Sequence, residues 1–518
     1  MKILKKTFAY ILPALMVAGG TSSCSDFIEI DPENKVPEEE VDFSATSEMY
    51  QPVVGVYNEV RASAMHYINA LLMFTRDGDV WSGRYDDQGP AATFSREFVY
   101  DNSYWGLNQV WINWYNIIRI ANSALESLDG YAQYLSEGSE DYANYQAYCG
   151  EVRTIRAWAY YNLVTNFGPV PIYSDNLQTE FRRATVESVY NYMLEDLNYA
   201  MQHMEHMRPN EMVHQGAITV YTAEMLAAKI YMLTDNWEQV ETLTDDIINN
   251  GNFSLYGDYY QLFKIPGKLC DESLFECQVT DFGQGSGDQI TVDQFFNCQG
   301  PNGSYAWKDE DGDHSMSGIT NMVNSVSGWG FVGYEPEFVA WAEERGETVR
   351  ATTSFLKAGG TTPEGWHIGT AAATTTDCWN GKSYVPFEQM TPGRTTYGSN
   401  NNVRIFRYAD VLLMNSEAKI RLGKDGDYGY NEVRGRAQMS TKIGVTLDEV
   451  LDERRMELCS EWGYVYQDLV RTGRAATVLG PKGWTEDKKY WPVPATQLEN
   501  LPDLALEPVE YNAASVSE

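Results

Sequence analysis

Glu453, Arg454 and Glu457 fall at i, i+1 and i+4 of a helical pattern, in a stretch that also holds Arg434, Arg436, Asp468 and Arg471. Two carboxylates one helical turn apart are a candidate acid–base pair. The arginines argue the other way. A guanidinium forks onto a carboxylate in two-point geometry and holds it ionised, which makes it a poor proton donor. These residues are expected to form buried bridges that tie helices together. His203 and His206 flank Glu205 at i, i+3. A zinc-protease helix needs His-Glu-x-x-His, which His-Met-Glu-His does not supply, so a solvated helix face is expected. The run Asp309 to Asp313 (Asp-Glu-Asp-Gly-Asp) has the composition of a calcium loop, but its Gly falls at the fourth position instead of the sixth. Thr320 stands where the bidentate Glu belongs. A solvated acidic turn is expected, with no metal. No nucleophile elbow or phosphate loop is present, and a non-enzymatic role without cofactor follows.

The remaining signal is aromatic, with 14 Trp and 35 Tyr. Sugar rings present apolar C–H faces that stack on Trp and Tyr, and their hydroxyls bond to Asp, Asn, Gln and Arg. Trp111, Trp114 and Trp158 lie within helical stripes and are assigned to the core. Other aromatics stand among polar residues and glycines. The stretch 77–88 holds Asp77, Trp81, Arg84 and Tyr85 between acids and two Gly. Trp307 precedes the acidic turn, Trp329 has Gly on both sides, and Trp379 is followed by Asn-Gly. Asp77, Trp81, Arg84, Tyr85, Trp307, Trp329 and Trp379 are the candidate glycan-binding set.

The elements that must carry them are mostly helical. In 109–128 the apolar positions Val110, Trp114, Ile117, Ala121, Leu125 and Leu128 recur at three- and four-residue steps. Segments 147–166, 187–204, 216–234 and 237–250 continue the pattern, with Gly168-Pro169 as a stop. Ala223, Ala227 and Ala228 let a partner helix approach closely. Helix pairs joined by short turns are the unit of a tetratricopeptide-like solenoid. From 266 to 400 Gly, Thr, Asn, Asp and Ser become frequent and periodicity fades, as in a functional surface. Helices return at 408–422 and 446–471, where Thr446 and Glu449 form a capping-box pattern, and a Pro-rich tail follows. The expected fold is all-α: a tetratricopeptide-like helix-pair scaffold with a large irregular, loop-rich excursion.

Lys2, Lys5 and Lys6 precede a short apolar run and the small residues Thr21, Ser22 and Ser23, then Cys24. The run is too short to span a bilayer permanently, and the pattern is that of a lipoprotein signal peptide over 1–23, acylated at Cys24. Residues 24–46 read as a tether, 47–265 and 401–518 as helical regions, and 266–400 as the ligand-side region. The whole chain carries a net charge of −35. Residues 1–23 hold three Lys and no acid, so the remainder has 35 basic against 73 acidic residues, a net −38. That charge repels phosphate backbones and anionic head groups and disfavours nucleic-acid binding. Cys149 and Cys459 lie in helical patterns as buried thiols. Cys298 with Cys378, or Cys270 with Cys277, stay open as bridges.

Over nearly all of its mature length the chain resembles the SusD/RagB lipoproteins. The resemblance is carried by the start Cys24 to Pro32, the helix and turn Glu151 to Pro171, the segment Arg407 to Ala418, and Val433 to Ala437. Asp452 to Leu458, Asp468 to Arg471 and the closing Trp491 to Pro494 follow in order. The chain departs from the family pattern after Glu461, with one residue extra before Asp468, and at the tail Glu507 to Tyr511. The resemblance implies an outer-membrane, cell-surface lipoprotein that captures oligosaccharide or polysaccharide. It also implies delivery to a SusC-like TonB-dependent barrel, on which the lipoprotein sits as a lid. It places ligand-contacting aromatics in an early loop and in the middle region. Capture of peptides or other nutrients, and a structural lid without ligand affinity, are the alternatives.

Overall fold

Polar side chains start the principal helices. Ser139 Oγ accepts the Tyr142 amide at 3.1 Å, Thr185 Oγ1 the Ser188 amide at 3.2 Å, and Asn236 Oδ1 the Gln239 amide at 3.3 Å. The expected capping box forms: the Glu449 amide donates to Thr446 Oγ1 and the Thr446 amide to Glu449 Oε2. The computed structural model describes residues 41–82, 89–178, 181–279, 294–300, 306–307, 325–326, 328–368, 378–384, 386–389 and 401–511. Segment 1–40 with Cys24, Arg84, Tyr85 and the 309–313 turn lie outside them, and for Trp307 only the backbone is described. The chain divides into two units, Met1–Ser44 and Ala45–Glu518.

The second unit begins with α1 (Gln51–Glu59), a wider π turn at Val60–Ala64, α2 (Tyr67–Phe74) and the short α3 (Gly89–Ser95). The stack follows: α4 (Trp105–Ala132), α5 (Glu140–Phe167), α6 (Val186–His203), α7 (Val220–Leu233) and α8 (Trp237–Asn250). Each of α4 to α7 packs on the next. The stripe expected in α4 is buried at Val110, Trp114, Ile117, Ala121 and Leu128, and Trp114 meets Trp158 of α5 edge-on at 5.1 Å. Arg156 of α5 binds Asp196 of α6 at 2.8 Å and Asn122 of α4 at 2.7 Å, joining three helices. Ala223, Ala227 and Ala228 are fully buried. Gly168, with φ +71°, ends α5 as expected.

The excursion is less irregular than the sequence implies. The short α9 (Tyr259–Leu262) precedes it, and it holds α10 (Gln294–Gln299), α11 (Pro336–Glu344) and α12 (Val349–Ser354). The strands are β1 (Val80–Ser82), β2 (Ser273–Cys277), β3 (Ala306–Trp307), β4 (Ser325–Val326), β5 (Val332–Tyr334), β6 (Phe355–Lys357), β7 (His367–Ile368), β8 (Cys378–Asn380) and β9 (Val403–Arg407). They form an antiparallel sheet of order β1-β5-β8-β6, another of order β4-β3-β7, and the pair β2-β9. Strands of two to five residues leave almost no alternation to read, and β1, which precedes the helical stack in the chain, pairs with β5, which follows it.

The C-terminal region holds α13 (Tyr408–Arg421), α14 (Asp427–Arg436), α15 (Leu447–Glu457), α16 (Tyr464–Arg471), α17 (Ala475–Leu479) and α18 (Ala495–Asn500). Packing of α13 on α8 continues the stack across the excursion. The helix expected over 446–471 is broken into α15 and α16. Ser460, Trp462 and Gly463 take φ of +56°, +49° and +71°, and the turn sends Trp462 inward, its Nε1–H donating to Arg404 O at 2.9 Å.

The expected bridges are present. Glu453 pairs with Arg434 at 3.0 Å, Glu457 with Arg436 at 2.6 Å, and Asp468 with Arg471 at 2.6 Å. Arg407 adds Glu461 at 2.8 Å, Glu272 at 2.7 Å and Glu457 at 3.0 Å. Burial alone raises the Glu457 pKa. Arg436, Arg407, Arg350 and Lys382 more than offset it and hold the carboxyl at about 2. An acid held that low does not donate protons near neutrality. Cys149 and Cys459 are buried free thiols as expected. Cys270 is also a free thiol, which removes the Cys270–Cys277 bridge.

Candidate functional site

Three of the seven candidate residues are interior, which corrects the expectation that they face a ligand. Trp81 is 6% exposed and Trp379 is not exposed at all. Trp81 lies opposite Gly333 of β5, and Gly333 opposite Trp379 of β8, so both indoles belong to one sheet. Trp379 packs with Leu356, Trp366, Ile368 and Tyr384. Asp77 is 3% exposed. Its Oδ1 accepts the Asp79 and Val80 amides at 2.8 and 3.0 Å, and Asp79 binds Arg455 at 2.6 Å. The acidic context that looks solvated is a buried turn in which Asp77 Oδ1 bonds the turn's own amides and Asp79 pairs with Arg455. Trp307 sits in β3, in a different sheet.

Trp329 is partly exposed and anchors an aromatic shelf. Its segment is strapped to the end of α10: the Trp329 amide donates to Asn297 O at 2.6 Å, Gly330 to Gly300 O at 2.9 Å, and Phe331 to Cys298 O at 2.8 Å. The flanking glycines have distinct tasks. A Cβ on Gly328 would lie 2.8 Å from the carbonyl carbon of Gly300, and Gly330 takes φ +65°. The strap holds Trp329 edge-on to Tyr67 at 5.4 Å and 5.5 Å from Phe331.

Tyr67 is the first residue of α2 and Trp105 the first of α4, so both rings project from helix starts. Tyr67 lies 6.4 Å from Trp105 and 6.2 Å from Phe331, and Tyr104 lies 5.8 Å from Trp105. Trp105 is 52% exposed; Tyr67, Tyr104 and Phe331 are partly exposed. The π turn before α2 is fixed by Asn69, whose Nδ2 donates to Ser63 O at 2.9 Å and Ala64 O at 3.0 Å. His66 caps α2, its Nδ1 accepting the Ile68 amide at 3.3 Å. Burial lowers the His66 pKa, so the ring is neutral at neutral pH, with Nε2 as its donor. The Gln294 side chain reaches the Tyr67 amide at 3.5 Å. Partly exposed rings with neutral polar groups at the margin can stack on apolar C–H surfaces and bond to hydroxyls. The sequence reading reached Trp329 but missed Tyr67, Trp105 and Phe331. The available signal was a Trp at a polar helix start, after Asn102-Ser103-Tyr104.

A family model described as "Starch-binding associating with outer membrane" matches residues 26–232, and one described as "SusD family" matches residues 365–500. The chain belongs to the SusD family. It is 25% identical over 383 residues to a SusD-like protein of Bacteroides ovatus, a match covering 70% of this chain and 64% of that relative's length. SusD-like protein P25 of Formosa agariphila is 24% identical, with 94% of each chain covered. The surface glycan-binding protein A of Bacteroides thetaiotaomicron, solved with laminarihexaose, shares the fold at TM-score 0.70 and 23% identity, covering 89% of this chain and 98% of that one. The family description names starch binding and the solved neighbour is named for glycan binding; the family is one of binding proteins and not of enzymes. Within the family frame Tyr67 and Trp105 lie inside the first matched segment, whereas Trp329 and Phe331 lie between the two. Among the described residues no helix is long and apolar enough to cross a membrane.

Proposed function

We propose that the chain captures oligosaccharide or polysaccharide on the shelf formed by Tyr67, Trp105, Trp329 and Phe331. The observation that carries this reading is the convergence of partly exposed rings from α2, α4 and the strap onto one surface. The laminarihexaose complex of a structural neighbour supports a glycan ligand, and the family description supports an outer-membrane site of action. In this reading Cys24 carries the lipid that holds the protein at the cell surface, and the captured glycan passes to a SusC-like TonB-dependent barrel. Arg84, Tyr85 and Trp307 remain proposed contributors. Each contact is weak, and repeated engagement along a polymer strengthens capture.

Calorimetric titration against neutral glycans, laminarihexaose first, and against peptides tests the proposal. Trp329→Ala and Trp105→Ala should each weaken glycan binding by about threefold to tenfold without lowering the melting temperature. Unchanged titrations for both variants, or binding of peptides alone, would remove the glycan assignment.

A further inference from the structure

Asp77 is interior, yet it lines a cavity of about 110 Å³ between the turn before β1 and helices α15 and α16. Its Oδ1 is taken up by the Asp79 and Val80 amides, while among the described residues Oδ2 receives no hydrogen bond. Burial first, and the neighbouring Asp79 charge second, push this carboxyl up to about 7. The cations on the same wall are committed elsewhere. Arg455 forks onto Asp79 at 2.6 and 2.5 Å, and Arg474 pairs with Asp448. A further, partly buried carboxylate of the wall, Asp468, is matched by Arg454 and Arg471. A carboxylate held out of water without a cation of its own is costly until a cation meets it. The apolar part of the wall is Leu451, Val465, Leu469 and Val478, the last of these 45% exposed and marking the open side, and Thr472 and the solvent-facing Asp452, 4.0 Å from Arg345, complete the lining.

We infer that this cavity is a second binding site, separate from the aromatic shelf, that takes a primary ammonium group on a short unbranched apolar stem. The ammonium meets Asp77 Oδ2, and the methylenes lie against Leu451, Val465, Leu469 and Val478. Size agrees: a cavity of about 150 Å³ holds benzene, so 110 Å³ suits roughly four or five non-hydrogen atoms. The same chemistry comes from a free alkylamine or from a lysine side chain of a partner protein. The inference does not depend on the glycan reading.

Calorimetry of the protein with n-butylammonium chloride tests it, with n-butanol as the neutral isostere. Saturable binding of one equivalent is expected, weaker by about tenfold or more for n-butanol and for Asp77→Asn, which keeps an oxygen for the two amides. Val478→Trp closes the open side and should abolish binding while the melting temperature and circular dichroism stay unchanged. This second variant decides if Asp77→Asn fails to fold. A glycine-flanked lysine peptide and its acetylated form separate the sources. Tighter binding of the free-lysine peptide than of n-butylammonium assigns the site to a partner, and the reverse assigns it to a free amine. No butylammonium binding, or equal binding by n-butanol, would overturn the inference, as would binding unaltered by either substitution.

Discussion

Gly328 has no room for a side chain. Its missing Cβ would sit 2.8 Å from the carbonyl carbon and oxygen of Gly300 and 2.9 Å from its Cα. These are backbone atoms that no rotamer change can clear. Gly328→Ala should therefore spread the strap from α10 and move the Trp329 ring. The expected result is a loss of glycan affinity of about the same size as for Trp329→Ala, with only a small drop in melting temperature. An alanine variant that binds as the native protein does would show that the strap does not position the indole. A second residue-scale test concerns Glu151, whose Oε2 accepts the Tyr57 hydroxyl at 2.6 Å and the Tyr50 hydroxyl at 3.2 Å. Burial raises its pKa to about 8, against the lowering effect of the two hydroxyls. The folded state thus keeps a proton that the unfolded chain releases. Stability from this group is complete below the unfolded value of about 4.5 and is lost as pH rises through about 8. Glu151→Gln removes that loss. Its stability gain over the native protein should grow from about pH 5 to pH 8, toward something on the order of 3 kcal/mol. Denaturant unfolding at several pH values measures this, and a gain that does not change with pH would contradict the assignment.

At the scale of elements, Arg407 holds the excursion to the C-terminal helices. It sits at the end of β9, and its guanidinium meets Glu272 beside β2, Glu457 at the end of α15 and Glu461 in the turn before α16. Arg407→Met would leave these carboxylates short of a cation in the interior. A loss of about 3–5 kcal/mol is expected, read by urea unfolding, and a loss below 1 kcal/mol (about the value of a solvated pair) would mean that the network relaxes easily. This network was legible in the sequence because Glu453, Arg454 and Glu457 follow helical spacing and Arg434, Arg436 and Arg471 lie close by. The helical stack was legible for the same local reason: caps such as Thr446 and stripes such as Val110 to Leu128 stand within one window. The shelf was not. Tyr67, Trp105 and Trp329 belong to three distant segments, and nothing local distinguishes Trp329, between glycines on a surface strap, from Trp379, before Asn-Gly in a buried strand. Composition marks both as loop-like; only strand pairing separates them.

For the molecule as a whole, charge sets which ligands arrive. The chain carries 73 acidic against 38 basic residues, whereas the shelf itself is built from Tyr67, Trp105, Trp329 and Phe331 with a neutral His66 at its margin. Stacking on uncharged sugar does not change with ionic strength, but the long-range field does, since its reach falls from about 30 Å at 0.01 M to about 8 Å at 0.15 M. A neutral glucan should therefore bind with an affinity that changes less than about twofold between about 0.02 and 0.5 M NaCl. A sulfated or uronic polymer should bind more weakly than the neutral one at low salt and recover as salt rises, because screening removes a repulsion. Titrations of one neutral and one anionic polysaccharide across that range measure both effects. Steep weakening of the neutral glycan with salt, or tight low-salt binding of the anionic one, would place recognition on cationic side chains and take it away from the aromatic shelf.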